Sequence, residues 1–251
     1  MTEAEWLACE DPHPMLDYLR GPPTTDDFSG PHAPLEKYLE PQTSDRKLRL
    51  FAVACCRLTW DAMARVGRCN EELWPAVEVA ERYADGLATA EELRVVHDAA
   101  AHVEWVFADD AGTPRVEAGA VRVTASVDPI DPRHLSEAAL TSWEYNAVHR
   151  GIWAREQDER RPLERFYHCN LVRDIFGNPF RPITLDPEWL TSTVVSLARS
   201  MYESRDFSPM PILADALQDA GCENPDILGH CQGPGPHVRG CFVIDLLLGK
   251  T

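Results

Sequence analysis

The chain has 251 residues, of which 41 are acidic and 24 basic, for a net charge of -17. A surface so acidic repels nucleic acid and anionic membranes, so nucleic-acid binding is disfavoured and another protein is the expected partner. No apolar run approaches the roughly 20 residues that span a bilayer, while the length allows a full hydrophobic core.

Met1-Thr2-Glu3-Ala4-Glu5 lacks the basic-then-apolar signature of an export signal, which predicts a cytoplasmic protein. The eight cysteines are then expected as reduced thiols or metal ligands. Thr2-x-x-Glu5 reads as a capping box opening a short helix through Trp6, Leu7 and Cys9. Asp11-Pro12 restarts the chain for Met15, Tyr18 and Leu19. Prolines 22, 23, 31, 34 and 41 then predict an extended stretch. Residues 1-43 are read as an acidic, proline-rich, irregular segment on a helical body spanning 44-251.

That body opens with the strongest helix, Ser44 to Val66, with Leu48, Phe51, Ala52, Cys55 and Leu58 on its buried face. Cys55 and Cys56 are neighbours on it; their side chains diverge by about 100 degrees, so they are core and not a chelating pair. Glu71 to Tyr83 follows, with Trp74, Val77 and Ala80 inward and Asp85-Gly86 as its stop. Thr89-x-x-Glu92 is a second capping box whose helix runs to about Phe107. Within it, His97 and His102 point apart, and the acids beside them suggest only exposed pairs. Val121, Val123 and Ala125 alternate briefly, which allows a short strand.

Asp131-Pro132 caps a predicted helix to about Gln157, where Tyr145, His149 and Trp153 form a stripe. The stripe reads as an aromatic seam or as a pocket wall with His149 as acid or base. The window from Arg150 to Arg181 has seven arginines against five acids, unlike the acidic remainder. In it, Phe166 to Phe176 is predicted helical, with Gly177 as cap and Asn178-Pro179 as a turn. His168 beside Cys169 does not make a nucleophile pair, because neighbours on a helix do not face each other. Asp186-Pro187 is predicted to cap a helix burying Leu190, Val194, Leu197, Ala198 and Met201.

The C-terminal run from Ser208 carries the clearest turn chemistry. Ser208-Pro209 predicts a helix with Ile212, Leu213, Ala216 and Leu217 inward, stopped at Gly221. Asn224-Pro225 starts another, carrying Ile227 and Leu228. Gly233-Pro234-Gly235-Pro236 must be a loop, and Val238 to Leu248 fits a helix or a buried strand, with a helix docked into the core the favoured reading. Cys222, Cys231, His237 and Cys241 give Cys-x8-Cys-x5-His-x3-Cys, a candidate set for structural zinc, with His230 competing with Cys231. The first gap exceeds the usual two to four residues, so buried free thiols are the competing reading. The loop amides, His237 and Arg239 could also hold an anion.

The strings R-L-F-A-V-A-C-C-R, A-V-E-V-A-E-R-Y-A-D-G, C-N-L-V-R-D-I-F-G-N-P-F-R-P and H-V-R-G-C-F-V-I-D-L-L-L-G-K carry a resemblance. With them the chain resembles an uncharacterised protein family present in many copies in Gemmata-like planctomycetes. I-L-A-D-A-L-Q-D-A-G loosely resembles a helix of a repeat-companion motif from the same bacteria. These likenesses imply a bacterial intracellular protein and bring no catalytic residues.

The expected fold is therefore mainly α, a single helical domain of about eight to ten helices. The leading functional expectation is a non-enzymatic interaction or regulatory module. The alternative is a metal-dependent or small-molecule enzyme drawing on His149, His168, Arg173, Asp174, Asn178, His237 and Arg239.

Overall fold

A computed structural model describes residues 1-20, 43-64, 71-106, 121-122, 124-126 and 166-250. Among these residues the protein is mainly helical, with ten α-helices and no strand. No described helix is long and apolar enough to cross a membrane. Most of the proline-rich stretch, the Tyr145-His149-Trp153 stripe and the bulk of the arginine-rich window lie outside the described residues.

The described chain clusters into two compact units, one of Met1 with Ala8-Cys169, the other of Thr2-Leu7 with Asn170-Thr251. In the first, helix α2 (Pro12-Arg20) buries Met15, Leu16 and Leu19. Helix α3 (Asp45-Ala64) packs on α4 (Trp74-Ala84), and α4 on α5 (Ala90-Val106). Their shared core contains Val53, Leu73, Val77, Ala80, Leu93 and Ala100. The Thr89-Glu92 capping box forms as predicted: the Glu92 carboxylate accepts from the Thr89 amide at 2.8 Å, and the Thr89 hydroxyl accepts from the Glu92 amide at 3.2 Å. Two buried charges are answered inside this unit. Glu81 accepts from Arg57 at 2.9 Å, and Arg49 donates to the Thr124 carbonyl at 2.6 Å. Burial draws the Arg49 guanidinium below its usual range, partly offset by Tyr83. The alternation at 121-125 is not a strand: Val121 and Arg122 are helical, and the Ala125 amide donates to the Val121 carbonyl at 2.9 Å. Three residues of alternation are too few to separate the two periods.

The second unit contains helix α1 (Glu3-Ala8) up to Leu7. Its further helices are α6 (166-176), α7 (Ser192-Ser204), α8 (Met210-Asp219), α9 (Pro225-Gln232) and α10 (Phe242-Leu248). The boundary between units falls inside α6, between Cys169 and Asn170. Helices α7 to α10 share one apolar core, built on Val194, Ala198, Met201, Leu213, Leu217, Ile227, Val243, Ile244 and Leu247. Each buried aliphatic side chain contributes about 1.5-3 kcal/mol, so this core outweighs the weak propensity of helices only seven to thirteen residues long.

Several starts differ from expectation: the helix expected from Glu71 opens as a 3-10 turn before α4, and α10 begins at Phe242, not Val238. Asp186-Pro187 caps only a short 3-10 turn, Pro187-Trp189, and α7 begins later, capped by the Thr191 hydroxyl on the Val194 amide at 3.3 Å. Leu190 is therefore left 37% exposed, while Tyr202 is buried. Helix α8 begins at Met210, because Asp206 holds the Ser208 amide in a turn at 3.0 Å. Its inward face is Met210, Leu213, Ala214 and Leu217, and Ile212 is 59% exposed.

Candidate metal centre

Three polar ends of the second unit meet at one point. Asp174 sits in the last turn of α6, just before Gly177, whose amide donates to the Arg173 carbonyl at 2.9 Å. Gly177 has φ +67, and a Cβ there would lie 3.1 Å from the Phe242 ring, so both conformation and space require glycine. His230 lies on α9, whose start is capped by the Asn224 side chain on the amides of Asp226 and Ile227. His237 and Cys241 come from the Gly-Pro loop and from the residue that opens α10.

Asp174, His230, His237 and Cys241 each offer one ligand atom, and all four lie within 4.8 Å of one another. His237 Nδ1 is 3.0 Å from Asp174 Oδ1, and His230 Nε2 is 3.1 Å from the same oxygen. His230 Nε2 is also 3.2 Å from the Cys241 sulfur. A tetrahedron of nitrogen, oxygen and sulfur around zinc has edges of about 3.3-3.6 Å, set by bonds of roughly 2.0-2.3 Å. These three separations fall a few tenths of an ångström short of such edges, while the full set of four atoms spreads over as much as 4.8 Å. The second carboxylate oxygen, Oδ2, accepts from the Val238 amide at 3.0 Å. That bond leaves Oδ1 as the one oxygen facing the imidazoles.

The centre is buried at Asp174 and Cys241 and partly exposed at the two imidazoles. Asp174 is 1% exposed and Cys241 0%. The His230 and His237 rings meet edge to face at 4.7 Å, and Phe242 covers His230 at 4.5 Å. Burial alone would raise the Asp174 pKa, but hydrogen bonds and charge from His230 and His237 outweigh it and hold the carboxyl below its usual range. Burial pushes the Cys241 thiol well up, and the nearby Asp174 charge adds to this. The buried Nε2 of His237 has no hydrogen-bond partner. Such an orphan costs about 1-3 kcal/mol and persists where the other ring nitrogen is firmly held.

The residues singled out from sequence divide clearly. Asp174, His237 and Cys241 converge, and His230 joins them. Cys222 and Cys231 are instead buried in the apolar core of α7 to α10, with the Cys231 thiol pushed up to about 12 by burial and by the Cys222 and Asp174 charges. Arg239 leaves the centre: its Nε donates to the Tyr202 carbonyl at 2.8 Å and its guanidinium covers the Tyr202 ring at 4.9 Å. Arg173 and Asn178 turn toward α1. Arg173 donates to the carbonyls of Trp6 and Leu7, and Asn178 to the Glu3 carboxylate. His168 is buried in the part of α6 assigned to the first unit. His149 lies outside the described residues. Asp174, expected beside His237 in the small-molecule or metal-dependent alternative, was absent from the Cys-x8-Cys-x5-His-x3-Cys zinc set because it precedes the other ligands by more than 50 residues, and local spacing carries no such pairing. The readable signal was His230-x6-His237-x3-Cys241 together with an acid just ahead of a glycine stop.

No family model, curated protein or solved structure matches the chain.

Proposed function

We propose that the protein is a non-enzymatic helical interaction or regulatory module whose C-terminal unit is fastened by one structural zinc ion. The ligands are Asp174 Oδ1, His230 Nε2, His237 Nδ1 and Cys241 Sγ. One observation carries the zinc: four ligand-type atoms within 4.8 Å of one another, with Asp174 and Cys241 fully buried. Nitrogen and thiolate donors select zinc over magnesium or calcium, which want oxygen. Four protein ligands from three separate segments would fill all four positions of a tetrahedron, which is the condition of a structural site; a catalytic zinc keeps one position open. We further propose that the chain is kin to the Gemmata-like planctomycete family whose strings it carries, and works in the cytoplasm, where a thiol ligand stays reduced.

Elemental analysis of protein purified without added metal tests the zinc. One zinc per chain, lost in Asp174→Ala and Cys241→Ser, supports it; metal-free protein that also fails to take up added zinc refutes it.

A second reading rests on a specific feature. Asp174, His230 and His237 form a two-histidine, one-carboxylate set, the ligand type of non-heme iron enzymes. Cys241 and the low exposure of the centre speak against the open positions such chemistry needs. Stoichiometric iron, retained in Cys241→Ser, would favour this enzyme reading.

A further inference from the structure

Helix α1 is only six residues long, well below the roughly 12-15 at which an isolated helix becomes stable. It is held at both ends by residues of the segment that follows Cys169. At its C-terminal end, Arg173 Nη2 donates to the carbonyls of Trp6 at 2.9 Å and Leu7 at 3.2 Å, groups that have no partner within a helix. At its N-terminal end, the Glu3 carboxylate accepts from Asn178 at 2.8 Å and pairs with Arg181 at 2.5 Å. Arg181 also reaches Asp226 on α9 at 3.6 Å. Between the two ends Trp6 is 0% exposed, while Leu7 beside it is 55% exposed. The helix closes its own start, with the Thr2 amide donating to Glu5 at 2.7 Å. Its one deeply buried anchor and its charge-assisted ends are the features of a peptide helix laid on a receptor.

We infer that Arg173, Asn178 and Arg181 form a recognition site for a short partner helix with an acidic first turn and a tryptophan at its fourth position, a site that α1 fills in cis. The inference rests on the interaction-module reading above and names the partner class which that reading leaves open; it does not rest on the metal. Tryptophan supplies the buried area, the acidic residue at the first position selects for Asn178 and Arg181, and Arg173 reads the end of the helix through its carbonyls. A partner helix of this chemistry competes with α1. The tethered α1 has the advantage of an effective concentration in the millimolar range, so only a better-fitting or locally abundant helix displaces it.

The test uses the full chain carrying Glu3→Arg and Trp6→Ala, which removes both anchors of α1. Its helical circular dichroism and metal content are compared with the unaltered chain. The probe is a fluorescein-labelled peptide of residues 1-10, followed by polarisation. The variant is expected to bind the probe, and the unaltered chain to bind it at least tenfold more weakly. A probe carrying Glu3→Arg should lose at least tenfold on the variant, and adding Arg181→Glu to the variant should reverse that preference. A variant that keeps its helicity but ignores the probe overturns the inference, as does equal binding of both probes. Hydrogen exchange on the unaltered chain serves if the variant does not fold. Amides of α1 should exchange by local opening, at least tenfold faster than those of α7 and α8. Exchange of α1 only through global unfolding makes it a core element and overturns the inference. Metal content decides the zinc separately.

Discussion

Glu81 in the first unit and Asp174, which with Asp245 is one of two carboxylates buried in the second among the described residues, are treated differently. Glu81 in the first unit is 1% exposed and faces the Arg57 guanidinium, which also lies over the Trp74 ring at 4.7 Å. That pair joins opposite charges through one guanidinium nitrogen, Nη2, although the buried Nε of Arg57 has no hydrogen-bond partner. Asp174 in the second unit is equally buried and faces two imidazoles, with a thiol at one of them. Once deprotonated, all four groups are Lewis bases, and nothing among them is a permanent cation. A buried carboxylate beside arginine makes a structural pair, whereas one beside histidine and cysteine makes a place for an ion. The composition of the neighbours, not the depth of burial, separates the two.

Removing the ion should break this comparison most visibly. Chelation of the zinc-loaded protein is expected to unfold or loosen α7 to α10, since structural zinc contributes on the order of 10 kcal/mol to small domains. Thermal melts with and without chelator check this, and an unchanged melting curve would make Asp174 and Glu81 equivalent after all. Next in size is Glu81→Gln, which leaves Arg57 poorly paired in a partly buried setting and should cost about 3 kcal/mol. Denaturant melts measure the loss, and adding chelator should not change the difference between Glu81→Gln and its parent. A third contrast lies in pH. The ion must displace the Cys241 proton, which burial holds firmly, so zinc affinity should fall as pH drops from 8 to 6, by about tenfold per unit or more. Competition with a chromogenic chelator at each pH reads it, and a flat profile would exclude thiolate ligation.

In metal-free protein the sign of the Asp174 contribution follows from its depressed pKa. Stability from this group is present above the unfolded carboxylate's value, about 3.9, and is lost only as pH falls through the lower folded value. Smaller again is Gly177→Ala, which forces a left-handed residue to carry a side chain against Phe242 and should cost roughly 1-2 kcal/mol. Because Phe242 covers His230, zinc affinity should weaken with it. The smallest expected effect is Thr89→Ala, about 1 kcal/mol for a lost helix cap, with no change in metal content.

Much of the fold was legible because caps and stops are local chemistry. Both Thr-x-x-Glu boxes, the Asn224 cap and the glycine stops at 86, 177 and 221 hold in the structure. The errors arose where a neighbour competed for the same backbone groups. Asp206 takes the Ser208 amide, the helix starts at Met210, and the inward face rotates away from Ile212. Half of the candidate centre was legible for the same reason: His237 and Cys241 are close in sequence. Cys222 and Cys231 misled because a buried apolar thiol and a metal ligand look alike on paper. Asp174 was legible as a candidate site residue beside His237, but its partnership with His230 exists only once α6 and α9 are folded.

The placement of α1 with the segment after Cys169 also sets an order of events on the ribosome. Trp6 emerges long before Arg173, Asn178 and Arg181 are translated. At about 5-20 residues per second the wait is roughly ten to thirty seconds. During that interval a bare indole with acidic neighbours is open to chaperones and to neighbouring nascent chains, and its protection arrives only once Arg173, Asn178 and Arg181 have followed it.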